Sequence, residues 1–186
     1  MDKELEIQFQ VDDDISLRAW SEHDLDDALD VVLRNREHLQ IYMQWMTPDY
    51  SIESAKKFIA DAIANRIGRK TLGLAIIRGD RLIGSIGFNR FEWPARVCEI
   101  GYWIDRDEEG KGIISRACRT MIDYAFDGLK MNRVEIRCSA ENLRSASVPE
   151  RLGFTKEGVL RQAELINGKL HDFNIYGLLA ADTRLW

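Results

Sequence analysis

Apolar positions repeat along the chain with two periods, which predict strands and amphipathic helices. Residues 15–20 (ISLRAW) alternate as in a strand, and Ser21 followed by Asp24 predicts a capping box that begins a helix. The apolar face of that helix consists of Leu25, Ala28, Leu29, Val32 and Leu33. A second helix, which Gly68 is placed to end, is predicted from the spacing of Ala55, Phe58, Ile59, Ala62, Ile63 and Arg66. The stretch between them, residues 42–50, is aromatic-rich and irregular.

Strand patterns dominate the middle of the chain. Residues 71–77 and 82–88 are β-rich runs joined by Gly79-Asp80, which predicts a hairpin. Residues 96–105 (RVCEIGYWID) are apolar on both faces apart from Glu99, as expected of a central strand. The period then changes, and a helix that Gly128 follows is predicted from Ile114, Ala117, Cys118, Met121, Ile122, Ala125 and Phe126.

The last third of the chain returns to strands. Residues 133–139 alternate, residues 144–152 predict a short helix, and two final strands are expected to meet at Asn167-Gly168. No linker or repeat interrupts the 186 residues, so we expect one domain covering residues 1–186. The element order predicts a mixed α/β (α+β) fold with a largely antiparallel sheet, which disfavours a doubly wound nucleotide-binding fold.

Composition and charge narrow the class of protein. Hydrophobic residues at 45% and charged residues at 31% are typical of a soluble globular protein, and no stretch approaches a membrane span. Residues 1–14 are acidic and lack the features of a signal peptide, which predicts a cytoplasmic location. A net charge of -5 argues against a nucleic-acid partner. Reduced core thiols are predicted for the widely spaced Cys98, Cys118 and Cys138, and no metal site for the isolated His23, His38 and His171.

The junction after the central strand carries the most informative motif. Gly110, Lys111 and Gly112 open a helix at residues 110–115, the glycine turn. Glycines allow close approach, a helix N-terminus carries partial positive charge and Lys111 adds a cation, so a pyrophosphate is a natural ligand. A simple strand-to-helix reversal would also use such glycines. A dinucleotide-binding motif is excluded because Ser115 stands where its third glycine is required.

On these residues the sequence resembles the GNAT acetyltransferase superfamily, whose cofactor motif reads Gln/Arg-x-x-Gly-x-Gly/Ala at a strand-to-helix turn. Gly110 and Gly112 match this spacing, whereas Asp107 replaces the usual Gln or Arg. The resemblance is to enzymes of RimJ/RimL type and covers essentially the whole chain. The matching segments are EIGYWID at 99–105, GKGIIS at 110–115, Asn142-x-x-Ser145 before Gly153-Phe154, and RQAELINGKLHDFNIY at 161–176.

The resemblance implies a splayed GNAT sheet and acetyl-CoA as cosubstrate, without a metal. Pantetheine would lie beside the strand that ends at Trp103 and Ile104, and Asn142 would bind its arm, although an Asx turn is an open alternative for Asn142. The pyrophosphate would lie on the glycine turn, at Gly110, Lys111, Gly112, Ile113, Ile114 and Ser115. The cluster Tyr42, Met43, Trp45, Met46 and Tyr50 would flank the acceptor, although such clusters are also typical of a core.

Acetyl transfer needs a neutral amine, so a proton acceptor is expected near the amine that receives the acetyl group. Glu99 is the candidate, because a carboxylate in an otherwise apolar strand is desolvated and takes up a proton more readily. Structural pairing of Glu99 with an arginine is the competing interpretation. Less well motivated proton acceptors are Glu92, Glu164 and Asp172.

The leaving thiolate needs a proton donor, for which Ser145 is the candidate by resemblance. The alternatives are that Ser145 caps the following helix, or that Tyr176 donates the proton. A backbone N–H near Ile104 is expected to stabilise the oxyanion.

The resemblance favours the N-terminal amine of a ribosomal protein as acceptor. A small amine such as a polyamine or an antibiotic, and a non-catalytic acyl-CoA-binding regulatory module, are the alternatives. Relatives of this type often form homodimers, which leaves the oligomeric state open.

Overall fold

In the computed structural model, which describes residues 7–184 and Trp186, eight strands form one continuous sheet. The strands are β1 (Gln8–Gln10), β2 (Ile15–Ala19), β3 (Leu72–Arg78), β4 (Arg81–Glu92), β5 (Val97–Ile104), β6 (Arg133–Ser139), β7 (Thr155–Ile166) and β8 (Lys169–Leu179). Their order is β1-β2-β3-β4-β5-β6-β8-β7, and only β5 and β6 pair in parallel. The predicted mixed, mostly antiparallel fold is confirmed. The acidic start of the chain lies partly outside the described residues.

Five helices accompany the sheet in the described part of the chain, and none of them is long and apolar enough to cross a membrane. They are α1 (Leu25–Arg34), α2 (Arg36–Leu39), α3 (Ile52–Ile67), α4 (Ile113–Asp123) and α5 (Leu143–Arg151). The capping box of Ser21 and Asp24 is present, although a short 3-10 turn precedes α1. Gly68 follows α3 as predicted, but the left-handed residue that turns the chain is Arg69, with a φ of 52°.

Apolar side chains form a core on each face of the sheet. One core packs α4 and α5 against the sheet and includes Phe88, Ile100, Met121, Ile136 and Tyr176. The other packs α1 and α3 against the opposite face, around residues such as Val31 and Ile59. The three cysteines are free and buried, as predicted, and burial raises the pKa of the Cys98 thiol to about 12.

Both predicted hairpins form at their glycine turns. Gly79-Asp80 joins β3 to β4, with Gly79 at a φ of 57°. Asn167 and Gly168, with φ of 45° and 84°, join β7 to β8. Two successive positive φ values are typical of the tight turn that Asn-Gly favours, which explains why sequence located this hairpin well.

A gap opens in the sheet between the two parallel strands. β5 pairs with β6 from Val97 opposite Arg133 to Ile100 opposite Ile136, and residues 101–104 and 137–139 then continue without pairing to each other. The N–H of Asp105 donates to the carbonyl of Ile83 on the β4 side, at 2.7 Å. The N–H and C=O groups of successive residues point to opposite edges of a strand. Since those of Asp105 point toward β4, those of Tyr102 and Ile104 face the gap. The gap is therefore lined by backbone donors and acceptors.

Candidate active site

Two buried carboxylates hold the segment that follows β5. Asp105 accepts from Arg34 at 2.5 Å and from the side-chain amide of Asn35 at 3.0 Å. The side-chain Oδ1 of Asn35 in turn accepts from the backbone N–H of Arg106 at 2.9 Å. Burial alone would raise the pKa of Asp105, but these hydrogen bonds hold it below its usual value. The carboxylate therefore stays charged and ties the segment to the end of α1.

Glu108 is the second of these carboxylates and is 4% exposed. It accepts from Arg78 at 2.7 Å and from Lys111 at 2.8 Å. Burial opposes its charge, yet Lys111 and Arg78 hold its pKa below the usual value. The ammonium of Lys111, predicted as a mobile cation for phosphate, is engaged with a buried carboxylate here, and its contact with a phosphate stays a prediction.

The glycine turn presents unpaired backbone donors. Gly110 and Gly112 have φ of 73° and 71°, a left-handed conformation that only glycine adopts at little cost, and Gly112 is the N-cap of α4. Within the described residues, no protein acceptor bonds the N–H groups of residues 110–115. Such a group of N–H donors at a helix N-terminus suits an anion.

The loop cleft, of about 920 Å³, runs beside this turn. It is lined by Trp103 and Ile104 at the end of β5, by the start of α4, and by residues along α5. Of the residues predicted to bind the cofactor, those that line it are Trp103, Ile104, Gly110, Gly112, Ile113, Ile114, Ser115 and Asn142. Lys111 is the exception.

The carboxylate cleft, of about 490 Å³, lies on the opposite face of β5. Glu99, Gly101 and Trp103 share that face, and Glu164 from β7 also lines the cleft. β5 is a central strand between β4 and β6, as predicted, and the face that carries Glu99 is open to a cleft. Its aromatic walls include Tyr42, Trp45 and Trp103, and the rings of Trp45 and Trp103 are 6.0 Å apart. Met46, from the same cluster, is instead buried in a core.

The surroundings of Glu99 differ from the expected apolar ones. Its carboxylate lies 3.3 Å from the Nε of Arg137 and 3.9 Å from the Nε of Arg90, which is the arginine pairing that the sequence left open. Glu164 has no basic partner within 4 Å among the described residues. Burial, and then the charge of Glu99, raise the pKa of Glu164. The structure thus brings together two carboxylates with different environments.

Ser145 lies where the two clefts meet. Its Oγ donates to the Tyr102 hydroxyl at 3.2 Å, and that hydroxyl donates to the Ser145 carbonyl at 3.1 Å. Both residues line both clefts. Burial raises the pKa of Tyr102 well above its usual value, so the phenol stays protonated. The sequence pattern did not single out Tyr102, although its position two residues before Ile104 directs its backbone toward the same edge of β5.

Asn142, and not Ser145, caps α5. The Asn142 Oδ1 accepts from the backbone N–H of Ser145 at 3.0 Å. The capping alternative for Ser145 is therefore wrong, and its hydroxyl is not needed to begin the helix. The side-chain oxygen of Asn142 is engaged in the cap, and its NH2 group makes no hydrogen bond within the described residues.

The other residues considered from sequence lie elsewhere. Tyr176 is 1% exposed, its hydroxyl donates to Glu150 at 3.0 Å, and burial followed by the Glu150 hydrogen bond raises its pKa to about 12. Neither Glu92 nor Asp172 lines either cleft. No group of histidines, cysteines and carboxylates within the described residues could hold a metal ion.

A fold with a split parallel pair, a glycine turn opening a helix and a cleft on each side of β5 defines an acyltransferase of the GNAT type. The chain belongs to this family, because the model of the acetyltransferase (GNAT) domain matches residues 14–155. It is accordingly an acetyl-CoA-dependent N-acetyltransferase.

Individual relatives are similar over nearly the whole chain. The ribosomal-protein-serine acetyltransferase of Escherichia coli (strain K12) is 32% identical over 167 residues, 90% of this chain and 93% of that one. The structure of RimL, a ribosomal L7/L12 alpha-N-protein acetyltransferase, in complex with coenzyme A is 31% identical, with a TM-score of 0.88 over 95% of this chain and 100% of that one. The microcin C7 self-immunity acetyltransferase MccE, in complex with acetyl-CoA and AMP, is 29% identical, with a TM-score of 0.87 over 91% and 94% of the two chains.

We expect Gly112→Val to weaken CoA binding by about tenfold or more, because a branched side chain is strained at this φ and would disturb the donors of the glycine turn. Titration calorimetry with CoA measures the effect. Gly79→Val is the matched control, since Gly79 also has a positive φ but lies in the β3–β4 turn, away from both clefts. If a folded Gly112→Val variant binds CoA as the parent does, the phosphates lie elsewhere.

Proposed function

We propose that this chain is a single-domain, cytoplasmic N-acetyltransferase that acetylates the N-terminal α-amine of a protein, with a ribosomal protein as the first candidate. The observation that carries the proposal is that the two clefts adjoin each other and share lining residues. Residues that line both are Tyr42, Met43, Tyr102, Trp103, Asn142 and Ser145. A donor in one cleft and an amine in the other can therefore meet, so transfer is direct, within a ternary complex.

The features of the loop cleft fit acetyl-CoA. The unpaired N–H groups of residues 110–115 suit its pyrophosphate, and the gap between β5 and β6 offers backbone partners to the amide groups of its pantetheine arm. Trp103 and Ile104 flank that gap, and Asn142 lines the same cleft. Bound there, acetyl-CoA supplies the thioester carbonyl that the amine attacks. The backbone N–H of Ile104 or Tyr102 then stabilises negative charge on the carbonyl oxygen.

Proton removal from the amine is assigned to the carboxylate cleft. Glu99, the residue predicted as base, has the Nε atoms of Arg137 and Arg90 at 3.3 Å and 3.9 Å from its Oε2. Glu164 lacks such a partner among the described residues, and burial and the charge of Glu99 raise its pKa. A raised pKa brings a carboxylate closer to that of the amine, which favours Glu164 as the proton acceptor and Glu99 as the residue that tunes it.

Ser145 is assigned to protonation of the leaving thiolate. Its hydroxyl lies at the meeting point of the clefts and donates to the Tyr102 hydroxyl beside it. Tyr176 is a poorer donor, because its hydroxyl is buried against Glu150.

The strength of the base favours an α-amine acceptor. At neutral pH about a tenth of protein α-amines are already neutral, but fewer than about one in a thousand lysine-type amines are, from their pKa values of ~8 and ~10.4. A carboxylate is a weak base, so it suits the more acidic ammonium group. The similarity to a ribosomal-protein-serine acetyltransferase points to a protein N-terminus beginning with serine. The similarity to MccE keeps a small antibiotic-like amine as the second candidate.

We expect acetyl transfer from acetyl-CoA to the α-amine of peptides that begin with serine, measured by mass spectrometry. Peptides with a blocked N-terminus and an internal lysine are the control and should not react. Higher kcat/KM with spermidine or an amine-bearing antibiotic would identify the small-amine alternative. Tight CoA binding without transfer to any amine would instead indicate a regulatory module.

The pH dependence of kcat at saturating substrates distinguishes the two carboxylates. The base must be ionised, so kcat falls as the pH drops through its pKa, which for Glu164 lies above the ordinary value. Glu99→Gln removes a neighbouring charge that raises this pKa, so we expect the acid limb to move to lower pH with activity retained. Glu164→Gln should lose turnover at neutral pH and recover part of it as the pH rises. The reverse pattern would restore Glu99 as the base.

We expect Ser145→Ala to keep the stability of the parent while losing turnover, because the cap of α5 belongs to Asn142. Asn142→Ala is the contrasting variant, and it should lower the free energy of unfolding by about 0.5–2 kcal/mol. Thermal melts, acetyl-CoA titration and kcat are measured on both. A Ser145→Ala variant that transfers acetyl groups at the parent rate would leave Tyr102 or solvent as the donor.

A further inference from the structure

Three arginines line the loop cleft and differ in what holds their guanidinium groups. Within the described residues, Arg106 has no carboxylate within 4 Å, and Arg151 donates to the hydroxyls of Ser147 at 2.8 Å and Ser115 at 3.2 Å. Arg144, at the start of α5, is instead ion-paired with Glu109. Of the three, only Arg144 has its charge neutralised by a carboxylate inside the cleft.

Glu109 connects two sides of that cleft. It directly precedes Gly110, and its Oε1 lies 2.8 Å from the Nε2 of His38 on α2, while its other oxygen meets Arg144 on α5. All three side chains line the loop cleft. The carboxylate of Glu109 therefore lies next to the N–H donors of the glycine turn, where a second anion would be repelled.

We infer that Glu109 competes with a phosphate group of CoA for Arg144, so that Arg144 strengthens cofactor binding and Glu109 weakens it. The inference rests on the proposed seat of the phosphates at residues 110–115 and not on the identity of the acceptor. When CoA binds, Arg144 leaves Glu109 and donates to phosphate, and Glu109 keeps His38 as its partner.

The exposure of Arg144 makes this exchange favourable. Its side chain is 76% exposed, against 19% for Glu109, and solvent screening weakens an ion pair with a largely exposed member. A phosphate group offers several charged acceptor oxygens that match the guanidinium fork, so it is the better partner. Glu109 has a second partner in His38, so its carboxylate keeps a hydrogen bond after the exchange.

The test is a double-mutant cycle on the dissociation constant of CoA, measured by titration calorimetry without any acceptor. We expect Glu109→Gln to bind CoA about two- to fivefold more tightly and Arg144→Gln to bind it about tenfold more weakly. In the double variant the gain from Glu109→Gln should largely disappear, because no Arg144 is released. Asp107→Asn is the matched control, since it removes the same charge two residues away, from a side chain outside the cleft, and should change affinity less.

Dephospho-CoA identifies the phosphate that Arg144 binds. An equal loss with CoA and dephospho-CoA in Arg144→Gln assigns Arg144 to the diphosphate, and a loss with CoA alone assigns it to the 3′-phosphate. The inference is overturned if Glu109→Gln binds CoA no better than the parent, or if its gain is the same with and without Arg144. If the variants bind CoA with the same Kd as the parent, the exchange of Arg144 between Glu109 and phosphate is rejected. The proposed transferase activity is not affected by that result.

Discussion

The separation of β5 from β6 is the constraint on which the site depends. Both strands pair as far as Ile100 and Ile136, and beyond that point they diverge while keeping their other neighbours. Unpaired backbone groups in a folded protein need a partner, and a bound amide chain is a suitable one. The split therefore creates a peptide-like binding edge inside a sheet, with a cleft on each side of β5.

Buried charge keeps this split in a defined geometry. Asp105 and Glu108 lie within the segment that joins β5 to α4, and each is held ionised by arginine, lysine or amide donors. Removing one partner of such a buried pair typically costs about 3–5 kcal/mol, because the remaining charge is left without compensation. The positively charged groups of Arg34, Arg78 and Lys111 thus help to position the glycine turn. The backbone N–H groups of the turn are available to bind an anion.

The two clefts divide the chemistry between different kinds of group. The loop cleft relies on backbone donors and on arginines whose charge is partly offset by Glu109, which suits reversible binding of a highly charged cofactor. The carboxylate cleft combines aromatic walls with Glu99 and Glu164, where Arg137 lies beside Glu99, and burial and the charge of Glu99 raise the pKa of Glu164. Ser145 and Tyr102 line both clefts, so proton transfer and acetyl transfer can take place at one point.

The sequence by itself determined the element types, both glycine hairpins, the mostly antiparallel sheet, the thiol core and the glycine turn, because these follow from local periodicity and from φ requirements of single residues. It also located Glu99 and Ser145 at the site. Only the tertiary structure decided that Lys111 pairs with Glu108, that Asn142 caps α5, and that Glu164 faces Glu99 from β7. The physical reason is that these contacts join side chains from elements far apart in the chain. The local sequence pattern around a residue does not determine which distant side chain it contacts.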